Sequence, residues 1–142
     1  MTLSFPAVEK EKLDIAIRMN EKTLQVNGEE KALRVPAYIS DKGYTILPVR
    51  EVTEVFPGVK VLRDNEKKAA TILYGYTMVT LTPGGETMYM NGTEAVLQNA
   101  AEVKDGRMFI SLRDVCRICS VPNEEIHWDT KTKTAFINTY VY

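Results

Sequence analysis

The 142-residue sequence has few of the side chains that most often carry catalysis or bind metals. It contains one histidine, two cysteines and one tryptophan. Two cysteines are too few for a disulfide framework, so the stability of the fold must come from packing. Copper or zinc catalysis needs several imidazole or thiolate ligands that converge on one ion. The composition therefore gives little support for a metalloenzyme.

Neither sign of charge dominates, because 18 Lys and Arg residues stand against 19 Asp and Glu residues. The net charge of -1 gives no support for nucleic-acid binding, which draws its affinity from a basic surface. No hydrophobic run approaches the length of a membrane-spanning helix. Residues 1–12 lack the apolar block of a secretory leader, so we expect an N-terminal extension there.

What the sequence does contain is one pattern that occurs twice, with a spacing of about 63 to 65 residues between equivalent landmarks. Each copy has an Asn-Gly pair, which tolerates positive φ and predicts a tight turn. The landmarks are Asn27-Gly28, Gly43, residues 47–50 and Asp64 in the first copy, and Asn91-Gly92, Gly106, residues 110–113 and Asp129 in the second. Such self-similarity indicates one supersecondary unit encoded twice.

Hydrophobic periodicity predicts the elements of each unit. Apolar residues alternate with polar ones over residues 13–19, which is the period of a half-buried strand. Pro48 suits the first turn of a short helix, which Pro57 and the glycine after it would end. In the second unit, Ser111 and Asp114 form a capping-box-like pair at the start of the equivalent helix.

These patterns predict an α+β fold of two tandem repeats, each a mostly antiparallel sheet packed on one short helix. The predicted domain division is an N-terminal extension at residues 1–12, a first repeat at residues 13–75 and a second repeat at residues 76–142.

The duplicated pattern resembles the copper amine oxidase N-terminal domain, also called the stalk domain. The segments that carry the resemblance are Asn27-Gly28, residues 47–50, Asn91-Gly92, residues 110–113 and residues 127–133. The resemblance covers roughly residues 13–138, and Arg63 stands where the family typically has tryptophan. In copper amine oxidases this domain resembles an appended stalk, remote from the copper and the quinone. The resemblance therefore implies no catalytic residues, no metal ligands and no cofactor.

The two cysteines allow two other chemical interpretations. Cys116, Cys119 and His127 lie close together in the sequence and could in principle hold a metal ion. Cys116 and Cys119 also have the spacing of a redox dithiol, but residues 112–115 place the pair a full turn inside the predicted helix. Because both cysteines fall on the buried stripe of that helix, we expect them to be small core residues.

Four tyrosines are the predicted binding residues: Tyr74, Tyr76, Tyr140 and Tyr142. The members of each pair are two residues apart, and on a strand that spacing puts both rings on one face. Such a face could stack on sugars or on partner side chains. The competing interpretation is that the rings cover a sheet edge or the junction between the repeats.

The sequence thus favours a non-catalytic structural or binding module for surface attachment or assembly through protein or cell-envelope glycan contacts. The resemblance implies an extracellular or bacterial cell-surface location, and the lack of a recognisable leader leaves the cytoplasm open. The alternative is an intracellular or virion assembly protein with the same fold. Exposed strand edges are natural docking points, so a homodimer is a further expectation.

Overall fold

The computed structural model describes residues 10–141, which form mostly antiparallel strands with two short α-helices. In chain order the elements are β1 (Glu11–Arg18), β2 (Thr23–Val26), β3 (Glu29–Ala32), β4 (Tyr38–Ile39), β5 (Thr45–Pro48), α1 (Val49–Thr53), β6 (Lys60–Asp64), β7 (Ala69–Tyr74), β8 (Thr77–Leu81), β9 (Thr87–Met90), β10 (Thr93–Val96), β11 (Glu102–Lys104), β12 (Arg107–Ser111), α2 (Leu112–Ile118), a 3-10 helix (Asn123–Glu125), β13 (Ile126–Asp129) and β14 (Thr134–Val141). The α+β class is confirmed at this coarse level. Neither α-helix of the described chain has the length and apolar character needed to cross a bilayer.

The strands form three sheets, and every sheet contains strands from both predicted repeats. The first outer sheet has the order β13-β14-β1-β2-β3, and the second outer sheet has the equivalent order β6-β7-β8-β9-β10. The central sheet has the order β11-β12-β5-β4. The two ends of the described chain meet in the first outer sheet, where β1 pairs with β14 along its whole length, from Glu11 opposite Val141 to Arg18 opposite Thr134.

This arrangement differs from the expectation that each repeat forms its own sheet on its own helix. The closing hairpin of each repeat has two strands, and an isolated two-stranded hairpin is marginally stable in water. Pairing it with the three opening strands of the other repeat gives a five-stranded sheet with one buried face. The predicted boundary between residues 75 and 76 falls in the turn between β7 and β8, and the domain division stays a prediction.

Both repeats contribute to one main core. Leu47 of β5 lies directly opposite Ile110 of β12, and both side chains are fully buried. The helices α1 and α2 follow these two strands directly, contact each other and pack on the central sheet. Burying each such aliphatic side chain contributes about 1.5–3 kcal/mol. On the other face of the central sheet, Ile46 and Phe109 form a smaller cluster with Val35.

The Asn-Gly turns have the same two roles in both repeats. Asn27 and Gly28 have φ values of 50° and 84°, as predicted for a tight turn. Oδ1 of Asn27 also accepts a hydrogen bond of 2.7 Å from the backbone N–H of Asp14. In the second repeat, Asn91 has φ of 52° and its Oδ1 accepts from the N–H of Met78 at 2.8 Å. Asparagine therefore supplies both the left-handed conformation and a bond to the neighbouring strand.

The two helices begin differently. The capping pair predicted for α2 is confirmed, because Oγ of Ser111 accepts from the N–H of Asp114 (3.2 Å) and donates to its Oδ2 (2.8 Å). At α1 the cap position is Pro48, which makes no side-chain hydrogen bond. The helix α1 also ends at Thr53, earlier than predicted, although Phe56 beyond it is still buried.

Candidate functional site

The structure gives the first predicted tyrosine pair two different environments. Tyr74 ends β7 and is half-buried, with its ring edge-on to Phe56 at a centroid distance of 6.1 Å. Burial raises the pKa of the Tyr74 hydroxyl, with a smaller contribution from nearby Cys119. Tyr76 lies in the turn before β8 and is fully exposed. Because Tyr76 is outside the strand, the alternation of strand faces does not relate the two rings.

In the second pair, Tyr140 lies on β14 and is 57% exposed. It pairs with Lys12 across the first outer sheet, and Nζ of Lys10 lies 5.9 Å from the centroid of its ring. Tyr142 lies outside the described residues. The binding role of the four tyrosines stays a prediction, and Tyr76 and Tyr140 are the two whose rings the structure exposes.

The cysteines are packed inside the protein. Cys116 and Cys119 are free thiols with exposures of 1% and 4%. Burial raises the pKa of each thiol to about 12, which keeps the nucleophilic thiolate rare near neutral pH. The equivalent positions of the first repeat hold Thr53 and Phe56, which are also buried. The structure therefore supports the interpretation of both cysteines as core residues.

His127 is separated from the buried cysteines. It lies on β13, opposite Phe136 of β14, and its side chain is exposed. Among residues 10–141, no three His, Cys, Asp or Glu side chains form a group that could hold a metal ion. The metal interpretation of Cys116, Cys119 and His127 thus finds no support in the described part of the chain.

One carboxylate near the start of each α-helix accepts a hydrogen bond from the backbone of a segment distant in sequence. In the first repeat, Oε2 of Glu51 accepts from the backbone N–H of Arg34 at 3.3 Å. In the second repeat, the fully buried Asp114 accepts from the N–H of Gln98 at 2.8 Å. Nη1 of Arg117 donates to Oδ1 of Asp114 at 2.9 Å. Each carboxylate holds the segment before the central sheet against its helix.

A set of interacting polar side chains lies beside the smaller core cluster. The hydroxyl of Tyr38 donates to Oε2 of Glu102, and Nδ2 of Asn99 donates to Oε1 at 3.3 Å. Nζ of Lys104 lies 4.5 Å from the centroid of the Tyr38 ring. Burial, followed by the bond to Glu102, raises the pKa of Tyr38. These side chains satisfy one another, which is typical of a scaffold.

Two surface clefts occupy equivalent positions in the fold. The first, which we name the basic cleft, lies between α1, the β6–β7 hairpin and the β11–β12 hairpin, with a volume of about 90 Å³. Its charged lining consists of Arg50, Arg63, Lys68, Arg107 and Glu51. Apolar side chains of the surrounding strands form the rest of its wall. Because α1 belongs to the first repeat and the β11–β12 hairpin to the second, the cleft is shared between the repeats.

The second cleft, which we name the aromatic cleft, lies between α2, β13 and the hairpin of β4 and β5, with a volume of about 230 Å³. Its lining includes Tyr44, His127 and Trp128. Trp128 is 41% exposed. At the rim, Nη1 of Arg113 donates to Oδ1 of Asn123 at 3.0 Å. An exposed indole beside hydrogen-bonding groups is suited to stacking on a flat partner surface.

The landmarks of the repeat show which residues of the two clefts correspond. Arg63 precedes Asp64 as Trp128 precedes Asp129, and Arg107 follows a turn glycine as Tyr44 does. The substitution of Arg63 for the usual tryptophan was visible in the sequence. That Arg63 and Arg107 line the same cleft was not, because the two residues belong to different repeats and to strands of different sheets.

The comparisons with known proteins agree with this architecture. The family model of the copper amine oxidase N-terminal domain matches residues 6–58 and also residues 25–137. Two matches across the chain are consistent with tandem copies of the unit. No curated protein and no solved structure matches the chain. Since the longer match alone covers more than half of the sequence, the chain belongs to the copper amine oxidase N-terminal domain family.

Proposed function

We propose that the chain is a non-catalytic, stalk-like module that mediates attachment or assembly at a bacterial cell surface through protein or glycan contacts. The family supports the first part of this proposal, because this domain of copper amine oxidases is itself non-catalytic. The binding role and the extracellular location are the parts that need a direct test.

The observation that carries the proposal is the contrast between the repeated polar residues and the aromatic surface. The polar residues that recur in both repeats make hydrogen bonds within the protein, as the side chains of Asn27 and Asn91 do in their turns. In contrast, Trp128, Tyr140 and Tyr76 expose large rings to solvent. Exposed aromatic rings favour recognition, since they bring apolar area and hydrogen-bonding groups to a partner at a small entropic cost.

The experiment is co-sedimentation of the purified protein with bacterial cell-wall sacculi, in parallel with sacculi stripped of surface proteins and of wall glycopolymers. We expect the protein to pellet with intact walls, and the stripped preparations identify the component it contacts. Trp128→Ala tests the aromatic cleft, and a Tyr76→Ala/Tyr140→Ala variant tests the predicted tyrosines. Loss of a ring at the contact should weaken retention about fivefold or more.

Tyr89→Ala is the matched control, because Tyr89 is 52% exposed on β9 and lines neither cleft. It should pellet like the unaltered protein. If the unaltered protein stays in the supernatant with every wall preparation, the attachment role is wrong. Light scattering on the same samples measures the oligomeric state, which tests the expected homodimer.

A further inference from the structure

The basic cleft concentrates positive charge on a protein that has a net charge of -1. Four cationic side chains and one carboxylate line it, which gives a local net charge of +3. None of Arg50, Arg63, Lys68 and Arg107 forms an ion pair with any residue from 10 to 141. The lining of the cleft therefore favours anions.

The fold does not require this charge. The equivalent aromatic cleft has Trp128 in place of Arg63 and Tyr44 in place of Arg107. Equivalent strands and helices of the two repeats form the walls of both clefts. The equivalent backbone positions of the aromatic cleft accept aromatic residues. We therefore attribute the two arginines to a partner that the basic cleft contacts rather than to the stability of the sheet.

The volume of the basic cleft limits its occupant. A volume of about 90 Å³ is well below the roughly 300–1,000 Å³ of pockets that enclose small ligands. Its wall includes Val61, Ala69 and Met108. A strongly hydrated anion gains nothing from such a wall, whereas an apolar side chain does. The cleft thus fits one apolar group flanked by negative charges.

The neighbouring strand suits an extended chain. In the described structure β6 is the outermost strand of its sheet, so one side of its backbone has no strand partner. Val61 and Arg63 of β6 line the cleft. Edge strands of this kind bind extended peptides through backbone hydrogen bonds, while side-chain pockets beside the edge select the sequence.

We infer that the basic cleft binds an extended acidic segment of a partner protein, in which one apolar side chain enters the cleft and flanking carboxylates pair with Arg63 and Arg107. The inference rests on the proposed role as a binding module and adds the site and the chemistry of the partner. Phosphate polymers and anionic polysaccharides match the charge but have no aliphatic side chain that could enter the cleft.

The experiment measures binding of a fluorescent peptide with one leucine flanked by aspartates and glutamates, using fluorescence anisotropy. Two control peptides replace the acidic residues by their amides or the leucine by glycine. We expect the acidic leucine peptide to bind, and each control to bind at least about tenfold more weakly, because each removes one of the two contacts. Raising the salt concentration from about 0.01 M to about 1 M should weaken binding, since the Debye length falls from about 30 Å to about 3 Å.

An Arg63→Glu/Arg107→Glu variant should lose peptide binding at least about tenfold. Its matched control is Lys31→Glu/Lys133→Glu, which makes the same change in net charge at exposed positions that line neither cleft and should bind normally. Because Arg107 is half-buried, the single variant Arg63→Trp is the second test. This variant places at position 63 the residue that the aromatic cleft has at the equivalent position. It should therefore keep the fold and still lower the affinity for the acidic leucine peptide.

Three results would overturn the inference. One is equal binding of the peptide by the charge-reversed variant and its control. Another is binding of polyphosphate or an anionic polysaccharide in the cleft in preference to the peptide. The third is a homodimer that the Arg63→Glu/Arg107→Glu change dissociates, because a second copy would then cover the cleft. The unaltered protein separates the two proposals, since retention by the walls without binding of the acidic leucine peptide rejects the inference and leaves the attachment role intact.

Discussion

The basic and aromatic clefts occupy equivalent places in a duplicated fold and differ mainly in the side chains that reach solvent. Their turns and strand pairings are shared, as Asn27 and Asn91 make matching bonds to the opening strands. The exposed positions carry Arg63 in one cleft and Trp128 in the other. The comparison indicates that buried and turn positions specify the scaffold, while the rims of the clefts are free to take different chemistry.

The largest expected difference between the repeats concerns the two carboxylates at the helix starts. Asp114→Ala leaves the N–H of Gln98 and the hydroxyl of Ser111 without their acceptor, so we expect a loss of about 3 kcal/mol in the free energy of unfolding. Glu51→Ala removes one longer bond near the surface and should cost less than about 1 kcal/mol. Urea denaturation measures both, with the exposed Glu54→Ala as control. Equal losses for Asp114→Ala and Glu51→Ala would show that the repeats do not differ in this way.

The second difference is in pH dependence, because Cys116 and Cys119 occupy positions at which the first repeat has residues that do not ionise. Burial raises the pKa of each thiol from 9.0 to about 12. The thiols therefore favour the folded state below pH 9, and this contribution is lost as the pH rises from about 9 towards 12. We expect stability to fall by about 2 kcal/mol between about pH 8 and about pH 10.

A Cys116→Ala/Cys119→Ala variant should show a shallower pH dependence over the same interval, whatever it loses through the small cavities it creates. Denaturant unfolding at several pH values gives the comparison. The raised pKa of the Tyr38 hydroxyl depends on burial and on Glu102, so it is the same in both proteins and acts as the internal reference. An unchanged slope in the variant would mean that the thiols do not ionise differently in the folded and unfolded states.

The turns should respond equally in both repeats. Asn27→Ala loses two side-chain hydrogen bonds, of which the one to the Lys12 carbonyl is exposed, and Asn91→Ala loses one. Both place alanine at positive φ, so we expect each to cost about 1–2 kcal/mol. The turns lie in different sheets, so the double variant should be additive within about 0.5 kcal/mol. Asn27→Gly keeps the conformation and loses only the two side-chain hydrogen bonds, so its cost should be smaller. A large loss at one turn and none at the other would break the equivalence of the repeats.

The smallest effect is expected at Tyr76. Its ring is fully exposed, so Tyr76→Ala should change the free energy of unfolding by less than about 0.5 kcal/mol. Tyr74→Ala should cost more, because that ring is half-buried against Phe56. Thermal unfolding of the two variants makes the comparison. A large loss at Tyr76 would indicate that its ring has a structural role, which would weaken its assignment to binding.

Much of the local structure could be predicted because its cause is local. The Asn-Gly turns follow from the tolerance of asparagine and glycine for positive φ, and the cap of α2 follows from the spacing of Ser111 and Asp114. The strand β1 follows from its alternating residues. In each case, a few adjacent side chains determine the backbone.

The long-range pairing could not be predicted in the same way. Periodicity identifies β1 and β14 as strands, but it does not say that Ile15 lies opposite Ile137. Hydrophobic periodicity does not predict the edge strand β3, because all its residues are exposed. The basic cleft could not be predicted either, since Arg63 and Arg107 come from different repeats and from strands of different sheets, and only the tertiary fold places both in one lining.

The central claim is that the two repeats form one interlocked scaffold, because every sheet combines strands from both. Differential scanning calorimetry tests it most directly, with fluorescence of the single tryptophan, Trp128, followed over the same temperatures. An interlocked scaffold should unfold in one transition, with equal calorimetric and van't Hoff enthalpies and a coincident change in fluorescence. Two separable transitions, with Trp128 responding in one of them, would contradict it.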